Sequence, residues 1–219
     1  LTDRTSAWLV MELCEGGDMY QRVADKAKER GPGRGAFEEG AARHYFRQML
    51  RAISYMHALQ IIHCDVKPEN FVLLGPPDSE AEEVVKLCDF GTTVTLKDRG
   101  SKVMLQACTL SYTSPEVYSS KKAGASADVW SLGVVLYVLM VGLSPFRVKG
   151  DSETQTKQRI CQGRLEEGRS AWIALSTEAH ECVRSILIVD PEARPACVEA
   201  LAGEWLRQDA EEEDVEAFA

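Results

Sequence analysis

The sequence predicts a mainly α-helical fold with short β-strands, an α+β architecture, and three observations lead to that prediction. Residues 38–59 repeat apolar side chains at spacings of three and four, which is typical of an amphipathic helix. Residues 128–140 form a second helical stretch that is almost wholly apolar. Only short β-type runs lie between the two, such as residues 71–74 and 84–87. We therefore expect helices to build the core and short strands to hold the loops between them.

Length and composition predict one folded domain followed by a short tail. The chain has 219 residues, of which 45% are hydrophobic and 27% charged, so it can bury a substantial core. Three glutamates and an aspartate occupy positions 211–214, a charge run that is typical of a solvated end. We expect a domain over residues 1–207 and an acidic tail over residues 208–219.

Charge, hydropathy and cysteine content exclude several classes of partner. The formal net charge of −9 disfavours nucleic acid and favours basic peptides. The longest apolar run, residues 132–143, is shorter than the roughly 20 residues that cross a bilayer, so no membrane association is expected. The seven cysteines are odd in number and include no C-x-x-C pair, which predicts reduced thiols in the cytoplasm or the nucleus.

The first expected elements are a strand, a helix and a glycine-rich loop. The apolar run of residues 7–13 predicts a buried strand that ends at two glycines, and a short helix is expected to begin at Asp18. Residues 31–35 contain three glycines, spaced almost as in a phosphate-binding loop. Because a helical stretch rather than a strand precedes them, we favour a connecting loop.

The later elements follow from the same periodicities. One face of the helix over residues 38–59 is apolar and consists of Ala42, Tyr45, Phe46, Met49, Ile53 and Met56. Short strands are expected at residues 61–62, 71–74 and 84–87, with a turn at 76–79. Beyond residue 116 the pattern is helical throughout, at residues 128–140, 153–161, 177–188 and 196–206.

Two short segments next to the predicted strands carry reactive groups. The segment from His63 to Asn70 reads His-Cys-Asp-Val-Lys-Pro-Glu-Asn, and Asp89-Phe90-Gly91 follows later. Phosphoryl transfer needs a carboxylate that orients the attacking hydroxyl, oxygen ligands for a metal ion and a cation for the phosphate. Asp65 is suited to the first task, Asn70 and Asp89 to binding Mg²⁺, and Lys67 to the phosphate.

Four motifs follow one another in a recognisable order and spacing. His63-Cys64-Asp65-x-Lys67-x-x-Asn70 is similar to a kinase catalytic loop, and Asp89-Phe90-Gly91 to a magnesium-binding motif. Ser114-Pro115-Glu116 stands where Ala-Pro-Glu is usual, and residues 128–133 resemble a central lobe helix. Over roughly residues 7–207 the chain thus resembles the eukaryotic protein kinases of serine/threonine type, and among these it is similar to the calcium/calmodulin-dependent kinases. The resemblance implies a kinase-like C-terminal lobe preceded by the hinge.

The resemblance also implies cofactors, substrates and further site residues. ATP and Mg²⁺ would be the cofactors, and serine or threonine residues of proteins, with basic residues upstream, the substrates. Thr109 would bridge Asp65 and Lys67, and Glu69 would meet an arginine upstream of the phosphorylated residue. In the nucleotide cleft, Met11 would be the gatekeeper, and Glu12 and Cys14 would contact the adenine. Val72 would lie beneath the adenine. Asp18 would face either the ribose or a basic side chain of the substrate.

The resemblance also implies residues that stabilise the fold around the site. Glu116 and Arg194 would form a buried ion pair. Asp128 would hold the backbone of the catalytic loop, although a helix N-cap is the alternative for this residue. His63 and Phe90 would stack on each other, with His63 a packed histidine rather than a base.

The sequence departs from the family pattern in its first third. The glycine-rich loop, the lysine of Val-Ala-x-Lys and the glutamate that pairs with it do not occur among the 219 residues. The chain by itself is therefore expected to have weak or no phosphotransfer activity. An inactive lobe that serves as a binding or scaffold module is the alternative.

Two cysteines replace residues that are usual in the family. Cys64 stands where an arginine normally docks a phosphorylated activation segment. Glutamate in place of Thr92, Thr93, Thr95 or Ser101 is therefore expected to leave the catalytic rate nearly unchanged. Cys108 replaces the glycine that is usual before Thr109.

Overall fold

The computed structural model describes residues 8–76, 79, 84–98, 100–104 and 110–208, and helices predominate among them. The helices are α1 (Met19–Arg30), α2 (Glu39–Ala58), α3 (Pro115–Ser120), α4 (Ala125–Val141), α5 (Glu153–Gln162), α6 (Ser170–Ile173), α7 (Thr177–Ile186), α8 (Cys197–Leu201) and α9 (Glu204–Arg207). No helix of this part of the chain is long and apolar enough to cross a membrane. The expected fold class, mainly α-helical with short strands, is confirmed.

The strands are two or three residues long and pair in antiparallel couples. They are β1 (Ile61–Ile62), β2 (Phe71–Leu73), β3 (Val85–Leu87), β4 (Val94–Thr95), β5 (Val103–Met104) and β6 (Lys122–Ala123). β1 pairs with β4, β2 with β3, and β5 with β6. Each couple fixes the ends of a loop rather than forming a broad sheet.

Helices α2 and α4 form the centre of the core. All six residues of the predicted apolar face of α2 are buried. Helix α4 is buried on nearly its whole circumference and packs against α2 and α7. Two aromatic pairs close its sides: the rings of Trp130 and Phe146 stack at 5.3 Å, and those of Tyr137 and Trp172 at 5.0 Å. This core is the rigid base on which the loops of the site rest.

The glycine-rich segment 31–35 is a connecting loop between α1 and α2, as predicted. Gly35 has φ +75°, and a Cβ atom there would lie 2.1 Å from the carbonyl oxygen of Met140. The next residue, Ala36, donates its backbone N–H to that same oxygen at 3.0 Å. Glycine is thus needed because the loop closes tightly over the end of α4.

The buried strand predicted for residues 7–13 is wrong for its described part. Residues 8–13 form no regular element, and the large apolar side chains Trp8, Leu9, Val10, Met11 and Leu13 expose between 63% and 83% of their surface. Ala7 lies outside the described residues. An apolar run becomes a buried strand only where a neighbour pairs with it and covers it, and the described residues supply neither.

Three further expectations need correction. The region after residue 116 is not wholly helical, because Lys122 and Ala123 form β6. The helix predicted over 196–206 is split into α8 and α9 around Ala202 and Gly203. Helix α4 begins at Ala125 after the N-cap Gly124, so Asp128 lies within its first turn and is not the N-cap.

The cysteines agree with a reduced chain in the described part. Six of them are free thiols there, and Cys108 lies outside the described residues. No group of three or more potential metal-ligating His, Cys, Asp and Glu side chains occurs within the same residues.

Candidate active site

The loop between β1 and β2 is held in a strained conformation that the sequence explains in part. Cys64 adopts φ +68°, a left-handed conformation that is uncommon for a residue with a side chain. Pro68 starts a 3₁₀ turn that runs to Asn70, where the fixed φ of proline favours the first position. The loop therefore presents Asp65, Lys67 and Asn70 from one short stretch of backbone.

These three side chains contact one another directly. The Nζ atom of Lys67 lies 2.6 Å from Oδ2 of Asp65. The amide nitrogen of Asn70 donates to the backbone carbonyl of Asp65 at 2.7 Å and reaches its Oδ2 at 3.4 Å. Because the nitrogen of this amide faces Asp65, its oxygen is the atom suited to a cation.

The charge of Lys67 is stabilised by the acidic groups around it. Partial burial lowers the pKa of this ammonium group, but the hydrogen bond to Asp65 and the negative charges of Asp65, Glu69 and Asp89 raise it further, so the net shift is upward. Lys67 therefore carries a full positive charge at neutral pH. Its positive charge is available to balance the charge of a phosphate.

Asp89 lies beside this cluster because the backbone connects the two loops. The N–H of Cys88 donates to the carbonyl oxygen of Asn70 at 2.9 Å, next to the point where β2 and β3 pair. Asp89 has φ +58°, is exposed, and accepts a hydrogen bond from the N–H of Gly91 at 3.3 Å. Burial and the nearby Asp89, Cys14 and Asp18 raise the pKa of the Cys88 thiol, which indicates that these groups share one region.

His63 and Phe90 are neighbours, but they do not stack face to face. Their ring centroids are 5.9 Å apart and the planes are inclined by 56°. His63 is fully buried and its Nε2 lies 3.2 Å from the carbonyl oxygen of Cys88, whereas Phe90 exposes 53% of its surface. The expectation of a packed histidine agrees with this burial, and the expected stacking is corrected to a tilted contact.

The carboxylate of Asp128 holds the start of the catalytic loop. It accepts the backbone N–H groups of His63 at 2.8 Å and Cys64 at 2.9 Å. The ring nitrogen Nε2 of His57 lies 2.9 Å from the same carboxylate. His57 was missed by the sequence reasoning, although its position four residues after Ile53 on the buried face of α2 is a signal for a polar group with a buried partner.

Glu116 and Arg194 form the expected ion pair. The guanidinium Nη1 lies 3.0 Å from one carboxylate oxygen and Nη2 lies 3.2 Å from the other, and the Arg194 side chain is fully buried. Arg194 also donates to the backbone carbonyl groups of Ile188 and Ser126. The pair thereby joins α3 to the loop before α8.

Part of the segment that contains the residues expected around a nucleotide lies beside β2. The N–H groups of Glu15 and Gly16 bond to the carbonyl groups of Leu74 and Leu73 at 3.0 Å, which brings the segment that follows Cys14 against this strand. Met11 is 67% exposed, and Cys14 and Val72 are partly exposed. Glu12 is also exposed, and its carboxylate lies 3.2 Å from the ammonium group of Lys86. The structure thus brings Cys14, Asp18 and Val72 to one edge.

Asp18 forms a bridge with Val72, and its carboxylate caps helix α1. Its Oδ1 atom accepts the backbone N–H of Gln21 at 2.8 Å. A capping carboxylate is positioned by its helix, so the side chain of Asp18 is held at the start of α1.

Glu69 lies in an open cleft of about 990 Å³. The cleft is also lined by Tyr20, Tyr112, Arg147 and Glu166. Glu69 is exposed there. Thr109 lies outside the described residues, so its bridging role stays a prediction.

The site combines a carboxylate, a lysine and oxygen donors on a mainly helical lobe, an arrangement of the phosphoryl-transfer class. The protein kinase domain family matches residues 1–206, and the chain belongs to that family. The similarity is to calcium-regulated members, and the resemblance seen in the motifs is confirmed.

Three relatives illustrate this similarity. The chain is 33% identical over 209 residues to a calcium/calmodulin-dependent protein kinase type 1 of Macrobrachium nipponense, covering 95% of this chain and 56% of the relative. It is 34% identical over 204 residues to calcium-dependent protein kinase 29 of Arabidopsis thaliana, covering 93% and 35%. Identity to the type 1 kinase of Caenorhabditis elegans is 33% over 205 residues, covering 93% and 54%. The chain thus spans between about a third and just over half of each of these relatives.

Proposed function

We propose that this chain supplies the phosphate- and metal-binding lobe of a serine/threonine protein kinase that transfers the γ-phosphate of ATP to protein substrates. The observation that carries the proposal is the contact between Lys67 and Asp65 at 2.6 Å, with Asn70 bonded to the same aspartate. A carboxylate, a cation and an amide at this spacing serve positioning and charge neutralisation, which is most of what phosphoryl transfer requires.

Each residue of the cluster has a distinct task in this proposal. Asp65 accepts the hydrogen bond of the substrate hydroxyl and orients its oxygen towards the phosphate. Lys67 places its ammonium group where negative charge develops, and Thr109 would link it to Asp65. Asn70 and Asp89 would hold the metal ion through an amide oxygen and a carboxylate.

The donor set of Asn70 and Asp89 fits Mg²⁺. Both offer hard oxygen atoms, and this ion prefers a few protein oxygens together with phosphate and water ligands. When bound, Mg²⁺ would neutralise phosphate charge. Met11, Glu12, Cys14 and Val72 would border the adenine.

Substrate preference follows from the acidic groups at the edge of the cluster. Glu69 is exposed in the open cleft, and the carboxylate of Asp18 is held at the start of α1, beside β2. We infer a preference for basic residues upstream of the phosphorylated serine or threonine. A peptide-library profile that shows no basic preference for the kinase would contradict this inference, and Glu69→Gln should weaken the preference.

A second candidate function is a binding module that lacks catalysis. The exposed apolar side chains from Trp8 to Leu13 favour this alternative, since such a surface is usually covered by another protein surface. The two candidates differ in their need for a working metal–phosphate site.

Calorimetric titration of the 219-residue chain with Mg²⁺–ATP tests the first proposal. Binding is expected for the unchanged chain and for Asp25→Ala, which removes an exposed carboxylate from helix α1. Asp89→Ala is expected to abolish binding while leaving the circular dichroism spectrum unchanged. If the folded, unchanged chain does not bind Mg²⁺–ATP, the binding-module alternative is favoured.

A further inference from the structure

Helix α2 carries three arginines along one face. Arg43, Arg47 and Arg51 are spaced by four residues, so they form a row about 12 Å long at the helical rise of 1.5 Å per residue. Arg43 and Arg47 are buried, and Arg51 is partly exposed. We call these three residues the arginine row.

The end of the described chain is attached to the arginine row. Arg43 donates to the side-chain oxygen of Gln208 at 2.7 Å, and Arg47 donates to the backbone carbonyl of Gln208 at 3.1 Å. Just before it, Trp205 is 2% exposed, lies 4.9 Å from the guanidinium carbon of Arg43, and donates its ring N–H to Glu39 at 2.9 Å. The described part of the chain therefore ends at the arginine row, where these contacts fix the position of Gln208.

The sequence that follows has the opposite charge. Residues 211–216 read Glu-Glu-Glu-Asp-Val-Glu and carry five carboxylates in six positions. Six residues of extended chain span about 20 Å, enough to run the whole length of the row. Charge complementarity, length and the attachment at Gln208 all favour residues 211–216 as the segment that binds the arginine row.

We propose that the acidic segment 211–216 docks on the arginine row of α2 within the same molecule. This differs from the solvated tail that the charge run predicts on its own. The proposal is independent of the proposed kinase function.

The docked segment would brace the helix on which the active-site loops depend. Gln48 of α2 accepts the backbone N–H of Val85 at 2.9 Å, at the start of the strand that leads to Asp89. His57 of α2 contacts Asp128. A docked segment that spans α2 from Arg43 to Arg51 would thus stabilise the helix that carries Gln48 and His57.

Cleavage by a glutamate-specific protease tests the proposal in the full 219-residue chain. The rate of cutting after residues 211–213 is measured by mass spectrometry, with the free peptide 209–219 in the same tube as reference. Relative to that peptide, cleavage in the chain is expected to be at least about fivefold slower at low salt, with the protection lost at about 500 mM salt, because exposed ion pairs are screened.

Two variants locate the docking surface. Arg51→Gln is expected to remove most of the protection, whereas the matched change Arg34→Gln, in the exposed loop before α2, is expected to retain it. Equal cleavage in the unchanged chain, in Arg51→Gln and in the free peptide would overturn the proposal. That pattern would also result if the row bound an external polyanion instead.

A tail variant covers the case in which Arg51→Gln fails to fold. Replacing the acidic residues at 211–214 by glutamine or asparagine alters no residue of the folded lobe. It is expected to lower the melting temperature at low salt, but not at high salt. An unchanged melting temperature at low salt would also overturn the proposal.

Discussion

The carboxylate of Asp128 accepts a hydrogen bond from the backbone N–H of Cys64 at 2.9 Å, although the two residues are 64 positions apart in sequence. Cys64 is in a left-handed conformation that costs a residue with a side chain roughly 1 kcal/mol. Helix α4 therefore maintains a strained turn next to Asp65. The direction of the proposed catalytic carboxylate depends on a residue that would itself touch no substrate.

Removing this carboxylate should destabilise the lobe. Asp128→Ala leaves the N–H groups of His63 and Cys64 and the ring of His57 without their acceptor. Each buried group left unpaired costs about 1–3 kcal/mol, so we expect a loss of at least about 3 kcal/mol in the free energy of unfolding. Guanidinium unfolding measures it, with Asp25→Ala as control. Equal midpoints for the two variants would contradict the prediction, and Asp128→Asn should fall between them.

The ion pair of Glu116 and Arg194 should show strong coupling. Either Glu116→Leu or Arg194→Met leaves a buried charge without its partner, at a cost of about 3–5 kcal/mol. The double variant removes both charges and should be less destabilised than the sum of the single changes. Urea unfolding of the four proteins gives the coupling energy. Strict additivity would mean that the pair contributes no interaction energy.

The stability of the lobe should depend on pH through Glu39. Burial raises the pKa of this carboxyl, but hydrogen bonds from Ser176 and Trp205 and the charge of Arg43 lower it more, so it lies below its ordinary value of 4.5. A lowered pKa in the folded state means that the stabilising contribution is present above pH 4.5 and is lost as the pH falls through the folded-state pKa.

Glu39→Gln tests this pH dependence. At neutral pH the variant should melt at a lower temperature than the unchanged chain, and the gap should narrow as the pH falls below 4.5. Glu181→Gln, at an exposed position of helix α7, is the matched control and should show no such trend. A gap that stays constant down to acid pH would exclude Glu39 as the titrating group.

Glutamate at Thr95 or Ser101 should leave the phosphotransfer rate of the kinase nearly unchanged. Cys64 packs against the small apolar cluster around Ile62 and Leu96. Burial, with the charges of Asp128 and Asp65, raises the pKa of its thiol to about 12, so it is neutral at pH 7. This position offers no cation to a negatively charged segment. Strong activation by either glutamate in a kinase assay would contradict the prediction.

Thr92 and Thr93 are less suitable for that experiment than the sequence suggested. The hydroxyl group of Thr92 donates to the carbonyl of His63 at 2.9 Å, and that of Thr93 donates to Phe90 at 2.9 Å. Glutamate there would break local hydrogen bonds, and any change in rate would report that damage.

Local patterns predicted the helices and the cluster of Asp65, Lys67 and Asn70 because both depend on short sequence spacing. The exposure of residues 8–13 could not be predicted, since burial depends on a covering surface rather than on the apolar run itself. The break at Gly203 and the two-residue strand β6 are set by tertiary packing that leaves little periodic signal. The contact of His57 with Asp128 joins residues 71 positions apart, beyond any local pattern.

The dependence of the catalytic loop on Asp128 has a consequence for biosynthesis. A ribosome releases residues 63–70 well before residue 128, so the emerging loop has no acceptor for its N–H groups during that interval. Contacts between distant residues form late, because the chain between them must first be ordered. The reactive loop should thus become ordered only after helix α4 has left the exit tunnel, and nascent chains that stall earlier would present Cys64 and Asp65 without a fixed geometry.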